Sequence, residues 1–326
     1  MLPCPAGSML RSETGASLSV GAMRAEGIGG RMAGALSPVP DVSAGGGMGM
    51  VVMRKRKRFG LKMETAFYAD GTEDYHPDAD IVLFIFIREA AITGIHRIIS
   101  WSFLVDLTRE EAALQADMRR TMRKELKRAG ELEREGALRI ELQRHPTESQ
   151  REAYIGRQDA FAAARGSDRV DRQRFDELAR KDMLAILYVR KPQGETLAGV
   201  ALWLCEDRTY GMHAFSTFRD CDGPEDRKLA GLATKLLYWR SLLLAKSENS
   251  RMFDFGGAFP SRRANARLHG IDDLKYAFGA LPVRQFDCYR AYTLKGKLVL
   301  PFILMLKWNP FERYEPWAPQ REEAAP

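Results

Sequence analysis

Apolar and polar positions along the chain fall into short blocks with two different periods. Met63–Ala69 and Ile81–Arg88 read as strands, separated by a turn-rich loop with Asp70-Gly71 and His76-Pro77-Asp78. Ile98–Leu107, rich in Ile, Trp, Phe and Val, predicts a third strand. Thr108 with Glu111 three residues on has the form of a capping box, and it predicts one long helix to about Glu135. Leu114, Met118, Met122, Leu126 and Ala129 form the apolar stripe of that helix. A strand over Ala137–Gln143 and helices over 147–164 and 171–181 follow. Strands over Met183–Arg190, Thr196–Cys205 and Tyr210–Thr217 then form an antiparallel meander, with a tight turn at Lys191-Pro192-Gln193-Gly194. The remaining elements are a helix over 225–246, a strand over Arg251–Phe255, a short helix over 271–278, a strand over 282–293 and an apolar helix over 295–308.

This order predicts an α+β (mixed α/β) fold with an antiparallel-rich central sheet flanked by helices. Four regions are expected. Residues 1–58 form a disordered tail with a basic end, 59–107 a short strand-rich part, 108–308 the main domain, and 309–326 a Pro-rich flexible tail. The first fifty residues hold eleven of the 28 glycines and show no apolar period.

Charge adds a partner class. Lys and Arg total 50 against 43 acids, giving +7 and a pI near 9.2. A basic excess suits an anionic partner such as a nucleotide, a nucleic acid or a lipid surface. It is concentrated in Arg54-Lys55-Arg56-Lys57-Arg58 and in 119–128, where six cations face one acid, Glu125. Arg123 and Lys124 in this second run are candidate phosphate contacts. The four cysteines (Cys4, Cys205, Cys221, Cys288) form no CxxC pair, and the five histidines form no HExxH, so neither a disulfide framework nor a metal is expected. No apolar run reaches 18 residues and the first thirty lack a signal-peptide layout. The expected location is the cytoplasm, with peripheral contact at the inner face of a membrane through the apolar, lysine-edged 295–308 stretch as one option.

The chemistry centres on 251–283. A short apolar strand runs into Asp254-Phe255-Gly256-Gly257, a basic loop with Arg262, Arg263 and Arg267 follows, and order resumes at Leu274-Lys275-x-x-Phe278-Gly279. Paired glycines after a strand mark a sharp bend or a backbone that something must approach. Upstream, Lys228-x-x-Gly231-x-Ala233 near the start of a helix could hold a pyrophosphate on its backbone amides. His213 and Ser216 are further polar candidates on the preceding strand.

The order of these features resembles the FemABX-like branch of the GNAT acyltransferase superfamily. The resemblance covers roughly 100–293 and rests on Arg123–Ala129, Gly194–Gly199, Leu236–Trp239, Phe253–Gly257 and Gly270–Gly279. Leu274 stands where the family often has an aromatic residue, and Ala280 where it has a second glycine. The ordered segment before the basic helix is short and shows no coiled-coil arm. The resemblance implies N-acyl transfer from acyl-CoA or aminoacyl-tRNA to an amine on a cell-envelope or exopolysaccharide precursor, without a metal. It places Lys275 near the substrate channel, and the residue chemistry makes Asp254 and Lys275 the catalytic candidates and Gly256, Gly257, Arg262, Arg263, Phe278 and Gly279, with Arg123 and Lys124, the substrate-binding ones. Lys228, Gly231 and Ala233 correspond to a degraded GNAT donor loop. Asp254 has two readings, as a base for the acceptor amine or as a brace for the glycine turn. Two other functions fit the residues: RNA binding through 54–58 and 119–128, or an inactive GNAT scaffold. DNA is not an expected partner.

Overall fold

The computed structural model describes residues 51–58, 60–67, 78–87, 96–165, 169–257 and 266–306. In chain order the strands are β1 (Val51–Arg58), β2 (Leu61–Phe67), β3 (Ile81–Ile87), β4 (His96–Asp106), β5 (Arg139–Gln143), β6 (Leu184–Arg190), β7 (Thr196–Trp203), β8 (Arg208–Ser216), β9 (Met252–Gly257) and β10 (Leu281–Ala291). The helices are α1 (Glu111–Asp117), α2 (Arg120–Arg134), α3 (Glu148–Arg165), α4 (Arg172–Arg180), α5 (Pro224–Ser247), α6 (Ala266–Ala277) and α7 (Leu294–Leu306). All ten strands join one sheet in the order β1-β2-β3-β10-β4-β9-β8-β7-β6-β5. Among the described strands only β2–β3 and β8–β9 pair in parallel. The α+β class with an antiparallel-rich sheet therefore holds.

The larger core lies between the sheet and α1, α2, α5 and α6. Phe103 and Val105 of β4, Leu187 and Val189 of β6, Val200 and Leu202 of β7, and Phe253 and Phe255 of β9 pack there against Leu236, Leu237 and Leu242 of α5. A second core gathers Tyr154 and Phe175 from α3 and α4 against Trp203 and Phe215. The 24-residue α5 starts at Gly223-Pro224, where the fixed φ of proline suits the first helical position. It is tied to α2 by Lys235–Glu125 at 2.8 Å and Arg240–Glu133 at 2.6 Å.

Two expectations change here. The helix expected over 108–135 is two helices, broken at Met118, where ψ is 148°. Thr108 does not cap it, because its amide and hydroxyl both donate to Asp106 Oδ1 instead, at 3.0 and 2.7 Å. The break is stabilised from outside the helix. The Arg119 amide donates to Ala277 O of α6 at 3.0 Å, and the Arg123 guanidinium donates to Ala116 O and Met118 O at 2.9 and 2.6 Å. Gly279 packs against the same point. Its φ is +78°, and a Cβ there would lie 2.9 Å from the Asp117 Cβ, so the position needs glycine on both counts.

The second change concerns the basic run Arg54–Arg58, expected to end a disordered tail. It lies in β1, antiparallel to β2, with Lys55 opposite Glu64 and Arg58 opposite Leu61. A charged strand at the end of a sheet is a common way to keep an open edge from pairing with another chain. The 59–107 segment is not set apart from the sheet either, since β4 lies between β10 and β9 near its middle.

Candidate active site

The Asp254-Phe255-Gly256-Gly257 motif lies where the pairing of two central strands ends. The parallel β8 and β9 pair through only three positions, Arg208 with Met252, Thr209 with Phe253, and Tyr210 with Asp254. Beyond that ladder each strand follows its outer neighbour. β8 stays on β7 as far as Ser216 opposite Ala198, while β9 stays on β4 as far as Gly257 opposite Ser102. Both strands carry a local irregularity where they part. On β8 the register slips so that His213 faces Ala201 and Gly211 faces Leu202, leaving Met212 extra. On β9 it slips between the Ser102 and Leu104 pairings. Bulges of this kind turn a strand out of its ladder.

The cause on β9 is local. Asp254 Oδ1 accepts the Gly256 amide at 2.8 Å, taking up a donor that a continuing strand would send to its neighbour. Gly256 has φ +86°, and a Cβ there would meet the Tyr210 hydroxyl at 3.4 Å. On β8 the missing Cβ position of Gly211 lies 3.6 Å from Asp254 O. Two glycines therefore line the fork where the strands separate.

Asp254 is fully buried, and its carboxylate is saturated. Oδ1 also accepts the Ser102 hydroxyl at 2.5 Å, and Oδ2 accepts Arg208 Nε at 3.0 Å together with Arg208 Nη2. Arg208 is buried as well, and with the Gln285 amide oxygen turned toward it, it donates from Nη2 and Nη1 at 2.6 and 2.8 Å. A carboxylate with four donors is poorly placed to take a substrate proton. This geometry favours the bracing reading of Asp254 over the base. Sequence reasoning missed Ser102, Arg208 and Gln285, which belong to three distant strands. The one available signal was Arg208, a cation heading an apolar strand.

Lys275 stands at the end of β9. Its Nζ donates to Gly257 O at 2.5 Å and to Asp272 Oδ1 at 3.3 Å, and lies 5.0 Å from the centre of the Phe103 ring. Burial pushes this ammonium below the usual lysine value, opposed by the pull of Asp272 and, more weakly, of Asp254. Phe278, three residues on, is buried against Phe255 and Tyr238, with ring centres 5.6 and 6.1 Å apart. It is a packing residue for the motif, not an exposed contact. The Tyr238 phenol in this cluster is pushed up to about 12 by burial.

The chain matches no protein-family model and no curated protein sequence. Solved structures do share its architecture. The crystal structure of FemX superimposes with a TM-score of 0.55 at 11% identity, covering 77% of this chain and 85% of that one. The fold is that of FemX. L-PGS from Bacillus licheniformis superimposes with a TM-score of 0.45 at 13% identity, over 78% of this chain and 88% of that one.

Within this FemX-like fold the other candidates scatter. Lys228, Gly231 and Ala233 do not form a phosphate cradle. α5 begins at Pro224, so their amides lie a turn or more inside the helix and are used by it. Lys228 is exposed and 3.9 Å from Glu225, Gly231 packs on the Phe218 ring, and Ala233 is buried. The true start of the helix carries Glu225 and Asp226, which repel an anion. Arg123 holds the α1–α2 break, whereas Lys124 is exposed on α2. Arg262 and Arg263 lie outside the described residues, as does the Arg267 side chain. The Ser216 hydroxyl bonds Thr234 Oγ1 at 2.8 Å, and His213 offers its backbone carbonyl to the Tyr154 hydroxyl at 2.5 Å.

The role of Arg123 can be measured. Arg123→Ala is expected to cost roughly 1–2 kcal/mol of stability in urea unfolding, from two lost charge-assisted hydrogen bonds. A variant with unchanged stability and weakened substrate binding would return Arg123 to the substrate side.

Proposed function

We propose that the chain is an N-acyltransferase that moves an acyl or aminoacyl group from an activated ester or thioester to an amine. The observation that supports this most is the parting of β8 and β9 beside Gly257 and Lys275. Beyond Tyr210 and Asp254 the two parallel strands no longer bond to each other, and at the fork Gly256 N–H, Gly257 O and His213 O are engaged by Asp254, Lys275 and Tyr154. An extended donor arm entering the slot between the strands would bond to other backbone groups along their edges, as an added strand does. The donor carbonyl is then held at a fixed place, and most of what transfer to an amine requires is this positioning.

The step is direct. The acceptor nitrogen attacks the donor carbonyl and a tetrahedral oxyanion forms. The C–O or C–S bond then breaks as the C–N bond is kept, and the nitrogen's proton ends on the leaving alcohol or thiol. Asp254 acts as a positioning residue, fixing the bulge that opens the slot. Lys275, buried behind Gly257, fixes its carbonyl and places positive charge near the end of β9, where a developing oxyanion gains from its field. Gly256 and Gly257 give the acceptor room.

The donor's phosphates need another partner, because the start of α5 is acidic. The exposed cations Arg120, Lys124 and Lys127 of α2, a helix packed against α5, offer it. That placement suits the polyanionic backbone of an aminoacyl-tRNA better than the compact pyrophosphate of acyl-CoA. The acceptor we propose is an amine on a cell-envelope or exopolysaccharide precursor. Polyanion binding alone, the RNA-binding alternative, gives no reason for the slot.

Melting of the full chain is the test, with charged tRNA, uncharged tRNA and a series of acyl-CoA thioesters as probes. A true donor at a hundredfold over its Kd is expected to stabilise the fold by about 2.7 kcal/mol. Stabilisation by charged over uncharged tRNA supports the aminoacyl donor, and stabilisation by a thioester alone moves the donor to acyl-CoA. If charged and uncharged tRNA act alike and no thioester acts, the transferase reading fails.

A further inference from the structure

α7 presents an apolar face that nothing in the described fold covers. Leu294, Leu298, Phe302 and Met305 are 75%, 66%, 64% and 69% exposed. At about 100° per residue these four, with exposed Pro301 between them, lie on one side of the helix. The opposite side holds α7 to the sheet. Leu300 is buried against Ile81 and Tyr289, with Ile303 and Leu304 partly buried beside it. Gly296 abuts Asp80 O so closely that no side chain fits. This helix therefore has a full inner face and a second, outward apolar face, where a surface helix of a soluble domain carries charge.

The charges on α7 are placed at the borders of that face. Lys297 falls on one edge and Lys295 on the other, and the helix contains no Asp or Glu. Lys295 Nζ also donates to Gly60 O at 2.6 Å, which sets the β1–β2 turn beside the start of α7. The Arg54–Arg58 run leads into that turn. The acids at this end are engaged, Asp80 by the Thr293 hydroxyl at 2.6 Å and the Lys62 amide at 2.8 Å, and Asp78 by Lys62 Nζ at 2.7 Å.

We infer that the outward face of α7 docks on an anionic lipid bilayer. An apolar strip edged by Lys297, whose head can reach the headgroup layer, and by Lys295, whose charge is held at the β1–β2 turn beside it, matches such a surface in both polarity and charge. A second copy of the chain matches it poorly. Isologous pairing would bring four lysines around one strip without a carboxylate on either helix. The strip, about 17 Å long and one helix wide, also falls short of the roughly 800 Å² per partner that a stable interface needs. No helix among the described residues is long and apolar enough to cross a membrane, so the contact is one of lying on the surface. The inference does not depend on the reaction proposed for the slot.

Co-sedimentation of the full chain with vesicles tests it. Binding is expected to phosphatidylglycerol–phosphatidylcholine vesicles and to fall steeply on pure phosphatidylcholine and at high salt. Leu298→Glu with Phe302→Glu is expected to weaken binding about tenfold or more, with an unchanged melting temperature because both side chains point outward. Lys297→Ala is expected to weaken it several-fold and guards against misfolding of the first variant. No binding by the native chain overturns the inference, as does equal binding by the Leu298/Phe302 variant. A native dimer that this variant splits into monomers assigns the face to a second copy instead, and overturns it too.

Discussion

Arg208→Met is expected to destabilise the fold by about 3–5 kcal/mol, a large share of the roughly 5–15 kcal/mol that holds a typical domain folded. The substitution roughly keeps the volume and removes the charge, leaving Asp254 buried without its hydrogen-bonded cation and with only a weaker interaction with Lys275. The Ser102 hydroxyl and the Gly256 amide still donate, but two hydrogen bonds do not offset a buried unpaired carboxylate. Asp254→Asn added to Arg208→Met removes that charge, and the double variant is expected to recover part of the loss. Equilibrium urea unfolding of the native chain, both single variants and the double variant measures this coupling. Losses below about 1 kcal/mol in the single variants would mean that the pair contributes no more than an exposed ion pair, and that the network is not what fixes the bulge.

Lys275→Met is expected to lower the transfer rate by about 10²–10³, with most of the effect in kcat rather than KM. The side chain is buried against Gly257, so its loss shifts the end of β9 and removes positive charge from behind it. Lys275→Arg, which restores charge with a different shape, should recover part of the rate if charge matters. Asp272→Asn added to Lys275→Met removes the stranded carboxylate and separates folding from rate. A Lys275→Met variant that folds and transfers at the native rate would leave this lysine a packing residue. Its titration provides a second reading. The folded ammonium titrates below the unfolded one, so the unfolded chain holds more protons between the two values. Native stability should therefore rise relative to the variant as pH climbs from the folded value toward that of a free lysine, and the difference should be flat at lower pH.

Much of this was legible in the sequence. The Asp254–Gly257 motif and Lys275 were found from residue type and spacing, and they do meet, through the Gly257 carbonyl. What the sequence hid was Asp254's company. Ser102, Arg208 and Gln285 come from strands far apart in the chain, and no local pattern links them. The capping-box reading at Thr108 failed because Asp106, two residues earlier, offers a nearer acceptor. Helix spacing also ran unbroken through Met118, since the break is made by Arg123 and by the carbonyl of Ala277. The 228–233 string was placed too near a helix start, although Gly223-Pro224 was a readable start signal. The charge of the Arg54–Arg58 run hides its strand character, and its backbone pairs with Leu61–Thr65 around Gly60, whose φ is +70°.

The sheet order has a consequence for how the chain comes to be made. β3 and β4 are neighbours in sequence, yet β10 separates them and bonds to both. From Asp106, the end of β4, to Leu281, the start of β10, the ribosome needs on the order of 10–30 s at roughly 5–20 residues per second. For most of that interval β4 lacks both of its neighbours, β9 (Met252–Gly257) and β10, while β3 keeps one edge open for β10. Such edges pair with whatever strand is nearby, so this is the period in which a chaperone matters most and in which overexpression produces aggregates.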